Sequence, residues 1–210
     1  LEFEGIRQGG TIYVNGKQVG LHENGVMAFG LDVSDIVVFD GKPNSIALRI
    51  DNDWHYRQRS TNATYRWNNI NFNANYGGIP KNVFLHVTDK LYQTLPLYSN
   101  LKTTGVYVYA TDFDIPQAAA TIHVESEVKN EYDTPKTFQY SVAVFDLDNK
   151  KVAEFSGDET KLAPGEHTMV SAAQRLGDLN FWSWGYGYLY TVKSMLKVEG
   201  NVIDEVSTKT

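Results

Sequence analysis

The chain has 210 residues, 42% of them hydrophobic and 21% charged, with a formal net charge of −6. That length fits one large domain or two small ones, and the composition is that of an ordinary globular protein. The acidic balance excludes a broad basic surface for nucleic acid, the lack of cysteine excludes disulfides and thiolate chemistry, and no apolar run approaches the roughly 20 residues that a membrane-crossing helix needs.

The periodicity is two almost throughout, the signature of half-buried antiparallel strands. "TIYV" and "QVGLH" flank "NGK" (15 to 17), where Asn-Gly supplies the positive φ angles of a tight hairpin. "SIALRID" places Ile46, Leu48 and Ile50 on one face and Ala47, Arg49 and Asp51 on the other. A long loop follows from Asp51 to Gly78, with Asn68, Asn69, Asn71, Asn73 and Asn75 ahead of Gly77-Gly78. Asparagine suits irregular backbone, and its amide also donates to and accepts from sugar hydroxyls; both readings stand. "VFLHV" then puts Val83, Leu85 and Val87 on one face.

Pro96, Gly105 and polar residues break the pattern between 91 and 105, which places a domain boundary near residue 97 and gives domains 1–97 and 98–210. Beyond it, seven strands are predicted near 106–110, 120–129, 137–146, 151–155, 166–172, 187–198 and 202–208. That is the count of an immunoglobulin-like sandwich. "TIHVESEV" and "FQYSVAV" alternate cleanly within it, and "DLDNKK", "APGEH" and "EGNV" supply turns. About six strands are predicted before residue 97, where a jelly roll takes about eight. The chain also opens without Met, on what reads as an interior strand. A partial jelly-roll sandwich, truncated at its N-terminus, is therefore expected, and its unpaired edges favour self-association or a homo-oligomer.

Candidate chemistry is sparse. "DND" (51 to 53) and "DFD" (112 to 114) lack the spacing and glycine of a calcium loop and read as turns. The five histidines show no metal-ligand spacing, and His86 and His123 read as structural. No catalytic residue, metal or cofactor is nominated. Trp182, Trp184, Tyr186, Tyr188 and Tyr190 are expected to pack in a core or domain interface.

Several stretches together resemble glycoside hydrolase family 2, the family of bacterial β-galactosidases, β-glucuronidases and β-mannosidases. "LEFEGIRQGGTIYVNGKQVGLHENGVMAFGLDVSDIV" is similar to its sugar-binding jelly roll, and "NYGGIPKNVFLHV" to its "GGIxRxVxL" strand. "KNEYDTPKTFQYSVAVFDLDNKKVAEFSG", "LAPGEHTMV" and "NFWSWGYGYLYTVKSML" resemble its immunoglobulin-like domain. The resemblance implies two non-catalytic domains. In the family, the two catalytic carboxylates sit on a following (β/α)8 barrel, expected to be absent from this chain and to be its partner in a parent protein. Carbohydrate is the implied ligand, hydrolysed with retention by that parent, for which export is expected; the chain itself assigns no compartment.

The resemblance also implies substrate-binding positions. The residue after the "EGI" turn is Arg7, with Gln8 beside it, and the loop before "GGI" offers Asn71 and Asn73. Galactosidases place Asn at the first position, so Arg7 departs from that pattern and suits an anionic or larger sugar. One alternative is a free-standing carbohydrate-binding module using Trp54, Tyr56, Tyr65 and Trp67; another is a purely structural pair of sandwiches.

Overall fold

The alternating segments become antiparallel strands in the computed structural model, which describes residues 1–53, 55–64 and 76–210. The all-β expectation holds. Among the described residues the one helical segment is α1 (Tyr98–Leu101), a single turn in which Ser99 and Asn100 leave helical angles. The chain divides into a first unit, Leu1–His86 with Leu97–Lys102, and a second, Val87–Pro96 with Thr103–Thr210.

In the first unit, β1 (Glu2–Phe3), β4 (Phe29–Gly30) and β6 (Val83–Phe84) make one sheet in the order β4-β1-β6. β2 (Gly9–Val14), β3 (Lys17–Glu23) and β5 (Ile46–Asp51) make another in the order β3-β2-β5. The predicted hairpin joins β2 to β3, with φ of 50° at Asn15 and 77° at Gly16. Phe3, Ile6, Ile12, Val14, Phe29, Leu31 and Val33 form the core, and Leu48 packs against it. Phe3 faces Phe29 across the β1–β4 ladder with ring centroids 4.9 Å apart, and His22 also stacks on Phe29 at 3.9 Å.

One strand expectation is corrected. "VFLHV" pairs only at Val83 and Phe84, and Val83, Phe84 and Leu85 are 40%, 42% and 62% exposed. A period of two assigns a face, but no described residue of the unit covers this one.

In the second unit, β10 (Lys136–Phe145), β11 (Lys151–Leu162), β13 (Thr191–Val198) and β14 (Asn201–Lys209) form a sheet in the order β11-β10-β13-β14. The facing sheet has β9 (Ala119–Asn130) at its centre, with β12 (His167–Leu176) on one side. β7 (Leu91–Gln93) and β8 (Val106–Asp114) share the other side, pairing with successive parts of β9. All seven predicted strands are present, although the aromatic start of the sixth stays outside: β13 begins at Thr191 rather than near 187. Phe138, Tyr140, Val142 and Val144 alternate into the core, where they meet Val124 and Val128 of β9 and Val170 of β12.

Buried polar groups tie this unit together. Asn130 is fully buried; its Nδ2 donates to Thr134 O, Leu162 O and Ala163 O at 3.0–3.2 Å, and its Oδ1 accepts Tyr132 N. Gln93 Nε2 donates to Ser194 O and to Asp204 Oδ2. Burial pushes the Asp204 carboxyl up, opposed by its bonds from Gln93. Glu127 Oε2 accepts both Thr94 Oγ1 and Thr104 N, holding together the two ends of the excursion that carries 97–102 to the first unit.

Two stability predictions follow from these contacts. Asn130→Ala strands three carbonyls and a buried amide, so it should cost about 2–4 kcal/mol in urea denaturation. The second concerns His22, whose pKa burial pushes down, against smaller opposing pulls from Asn100, Met27, Asn24 and Glu23. The unfolded chain then takes up a proton below about pH 6.5 that the folded chain refuses, so stability falls as pH falls through that region. His22→Phe, which keeps the stack on Phe29, should flatten the decline between about pH 7 and pH 5.5.

Candidate functional site

Strand β2 uses its two faces differently. Ile12 and Val14 enter the core at 0% and 1% exposure, so Gly9, Thr11 and Tyr13 must point the other way. The ladders set Leu21, Thr11 and Arg49 in one cross-strand row and Glu23, Gly9 and Asp51 in the next. These rows are the floor of a cleft of about 400 Å³, and the segment after β5 forms its wall with Asp53, His55, Tyr56, Arg57 and Arg59.

The wall lies close because the floor lacks a side chain. A Cβ on Gly9 would sit 2.2 Å from the Tyr56 hydroxyl. That hydroxyl donates to Glu23 Oε1 at 2.5 Å, and the same oxygen accepts Arg59 N at 2.8 Å. Glu23 therefore anchors the wall to β3 by two charge-assisted bonds. The predicted turn chemistry of "DND" is present: Asp51 Oδ1 accepts Asp53 N, and Asp53 Oδ1 accepts His55 N at 2.6 Å. Both carboxylates thus close the turn. The guanidiniums behave otherwise. Arg57 Nη1 donates to Asn62 O at 3.0 Å, but no ion pair among the described residues uses Arg49, Arg57 or Arg59. Such a surface can bind and orient an oxygen-rich ligand. Among the described residues, no group of three His, Cys, Asp or Glu is placed to hold a metal ion.

The sequence-nominated residues lie as follows. Arg7 is half-buried, exchanges backbone bonds of 2.9 and 3.1 Å with Gly78, and sets its guanidinium 4.8 Å from the Tyr76 ring centroid. Its Nε is buried without a hydrogen-bond partner. Gln8 is 1% exposed, inside the unit rather than on its surface. Asn71 and Asn73 lie outside the described residues, as do Trp54, Tyr65 and Trp67. Sequence reasoning missed Arg57 and Arg59 as site residues. The available signal was "RIDND…HYRQR", in which Arg49 and Asp51 share the outer face of a strand and two further arginines follow closely.

The second unit has an apolar hollow of about 260 Å³ bordered by Phe113, Phe181, Trp182, Tyr188 and Tyr190. Of the aromatic cluster expected in a core or domain interface, Tyr190 packs against the core, whereas Trp182, Trp184 and Tyr186 are 64%, 95% and 48% exposed. The reason is local: Ser183 and Tyr186 bond across a tight turn at Gly185 (φ 82°), which carries these rings out of the sheet.

Comparison with known proteins gives a consistent picture. A protein-family model described as glycosyl hydrolases family 2 matches residues 105–210. A β-glucuronidase of Formosa agariphila is 36% identical over 206 residues, which is 97% of this chain and 20% of that protein. A β-galactosidase of Bacteroides ovatus is 21% identical over 99% of this chain and 22% of its own length. Among solved structures, a β-glucuronidase from glycoside hydrolase family 2 is similar at a TM-score of 0.89 and 33% identity, over 99% of this chain and 21% of that one. A family 2 member from Bacteroides cellulosilyticus is similar at a TM-score of 0.78 and 26% identity, over 99% of this chain and 25% of that one. The chain spans about a fifth of the length of the curated relatives it matches.

The cleft wall should depend on Glu23. Glu23→Ala removes the one oxygen that accepts both bonds, and amide hydrogen exchange at Arg59 should quicken by roughly tenfold or more, while exchange at the β2–β5 ladder stays near its original rate.

Proposed function

The chain belongs to glycosyl hydrolase family 2, and from that premise we propose that it supplies the sugar-binding and spacing domains of a longer glycosidase. The observation that carries this reading is one of coverage. Relatives named as β-glucuronidase and β-galactosidase align with nearly all of this chain but with only a fifth or so of themselves. Retaining glycosidases cleave with two carboxylates held about 5 Å apart on a rigid frame. The carboxylates of the candidate cleft, Asp51 and Asp53, are instead engaged by the backbone of their own turn. In this reading a (β/α)8 barrel elsewhere in the parent polypeptide performs the hydrolysis of terminal β-glycosides. The first unit, a partial jelly roll, holds the sugar, and the second, an immunoglobulin-like sandwich, sets the spacing.

Arg7 is the family-matched contact that the geometry supports best. Its side chain is half-buried and its guanidinium stacks on Tyr76, which holds the charged end in a fixed place. Gln8 is 1% exposed, which makes Arg7 the better placed of the two for a sugar contact. Asn71 and Asn73 keep their proposed roles from the family pattern alone. The Tyr56-walled cleft favours a second reading, a carbohydrate-binding module that works without a barrel.

The purified chain should not hydrolyse 4-nitrophenyl β-D-glucuronide or β-D-galactoside, whereas the parent polypeptide should hydrolyse at least one of these. Turnover by the chain alone that persists through rigorous purification would overturn the assignment. Calorimetric titration of the isolated chain with oligosaccharides separates the second reading, which requires measurable binding without a barrel.

Self-association belongs to the same proposal. Ile79, Val83, Phe84 and Leu85 leave an apolar strip exposed at the edge strand β6. Sedimentation should show concentration-dependent association of the isolated chain, and Leu85→Lys should shift it to monomer. A clean monomer at high concentration would contradict this.

A further inference from the structure

Resting on the carbohydrate-binding reading, we propose that the cleft on the outer face of the β3-β2-β5 sheet binds an anionic sugar through Arg49, Arg57 and Arg59. These are three of the six arginines in a chain whose net charge is −6. Their convergence on one cleft therefore cannot be a by-product of general basicity. The lining sets these three guanidiniums against two carboxylates, Asp51 and Asp53, so its balance is positive in a chain that is negative overall, and an arriving anion meets that excess.

The local acids offset part of that charge through space but have their hydrogen bonds committed elsewhere. Asp51 and Asp53 each accept a backbone amide of their turn, and Glu23 accepts both Tyr56 Oη–H and Arg59 N–H. No guanidinium of the three is ion-paired with any described carboxylate. Planar guanidiniums match the oxygen pairs of a carboxylate or a sulfate ester, which is the chemistry common to uronic acids and sulfated sugars. The cleft also has what a sugar ring needs beyond charge. Its volume of about 400 Å³ falls within the range of small-molecule sites. The Tyr56 wall gives an aromatic surface. Glu23 holds that wall in place from a strand, so the site is built on rigid backbone at one side.

The test is a titration of the isotope-labelled 210-residue chain, followed by amide chemical shifts, with four probes: methyl β-D-glucuronide, glucose 6-sulfate, methyl β-D-glucoside and sodium sulfate. The expected result is that the glucuronide, the sulfated sugar or both move the amides of Thr11, Arg49 and 57–59, and that added NaCl weakens the effect. The glucoside and free sulfate should bind roughly tenfold more weakly or not at all, because each lacks half of the recognition. Arg57→Gln and Arg59→Gln should each weaken binding by roughly fivefold. Arg49→Lys should be intermediate, keeping the charge and losing the planar fork. A well-dispersed spectrum checks folding of each variant.

Equal binding of the neutral glucoside would overturn the anionic assignment while leaving the carbohydrate-binding reading intact. Free sulfate binding as tightly as either charged sugar would overturn the saccharide part. Shifts elsewhere in the chain, or none with any probe, would overturn the site. Turnover by the parent polypeptide is a separate readout, so failure here and failure of the family 2 role are distinguishable.

Discussion

Strand β2 is paired on both sides, and that double pairing is the constraint on which the first unit depends. With its backbone bonds committed to β3 and β5, a shift of one residue would exchange every side chain between core and solvent. Ile12 and Val14 therefore stay in the core, and Thr11 stays on the cleft floor. The adjacent glycines fit the same division. A Cβ on Gly10 would lie 2.0 Å from Ile6 Cδ1 on the inner side, and one on Gly9 would lie 2.2 Å from the Tyr56 hydroxyl on the outer side. One pair of residues thus admits core packing on one face and the approach of the cleft wall on the other.

The second unit obeys the same period but commits more polar atoms to its interior. Tyr140, Ser126 and Ser194 are all buried at 1% or less, and burial pushes the Tyr140 phenol far above its ordinary range. Asn130 and Gln93 have their amide N–H groups placed on specific carbonyls and a carboxylate. In a low-dielectric interior such bonds are costly to misplace, so they select one register as well as adding stability. Apolar alternation alone would tolerate a slide that keeps the faces; the buried amides would not.

Membership in family 2 gives the exposed apolar features a common context. Trp184 is 95% exposed, and Leu85 at β6 is 62% exposed, values unusual for side chains of that size. A chain matching a fifth of its relatives' length suits surfaces that other parts of a parent protein would cover, as the proposed function holds. The arginine-lined cleft differs from both. It is polar, it is organised by strand register and by Glu23, and its charge rather than its apolar area defines what it would take.

Much of this was legible in local residue chemistry. Asn15-Gly16 and Glu199-Gly200 turn hairpins with positive φ at both positions, as short-range backbone preference dictates. Alternation in "FQYSVAV" assigned Phe138, Tyr140, Val142 and Val144 to the core, since a strand's side chains must point to opposite sides, whereas in "SIALRID" only Leu48 of the expected face packs there and Ile46 is 48% exposed. Coverage was not legible. The same alternation in "VFLHV" named a face without saying whether anything packs on it, and the aromatic density near Trp184 gave no sign of the turn that ejects it. The cleft was hidden for a related reason. Its rows join Leu21, Thr11 and Arg49, residues brought together by pairing between separate segments, and its wall is held by Glu23 reaching Tyr56 and Arg59 more than 30 positions away. The sequence by itself determined strand identity, face and turn, because those follow from neighbours along the backbone; only the tertiary structure decided burial and the gathering of the arginines, because those depend on which distant strands share hydrogen bonds.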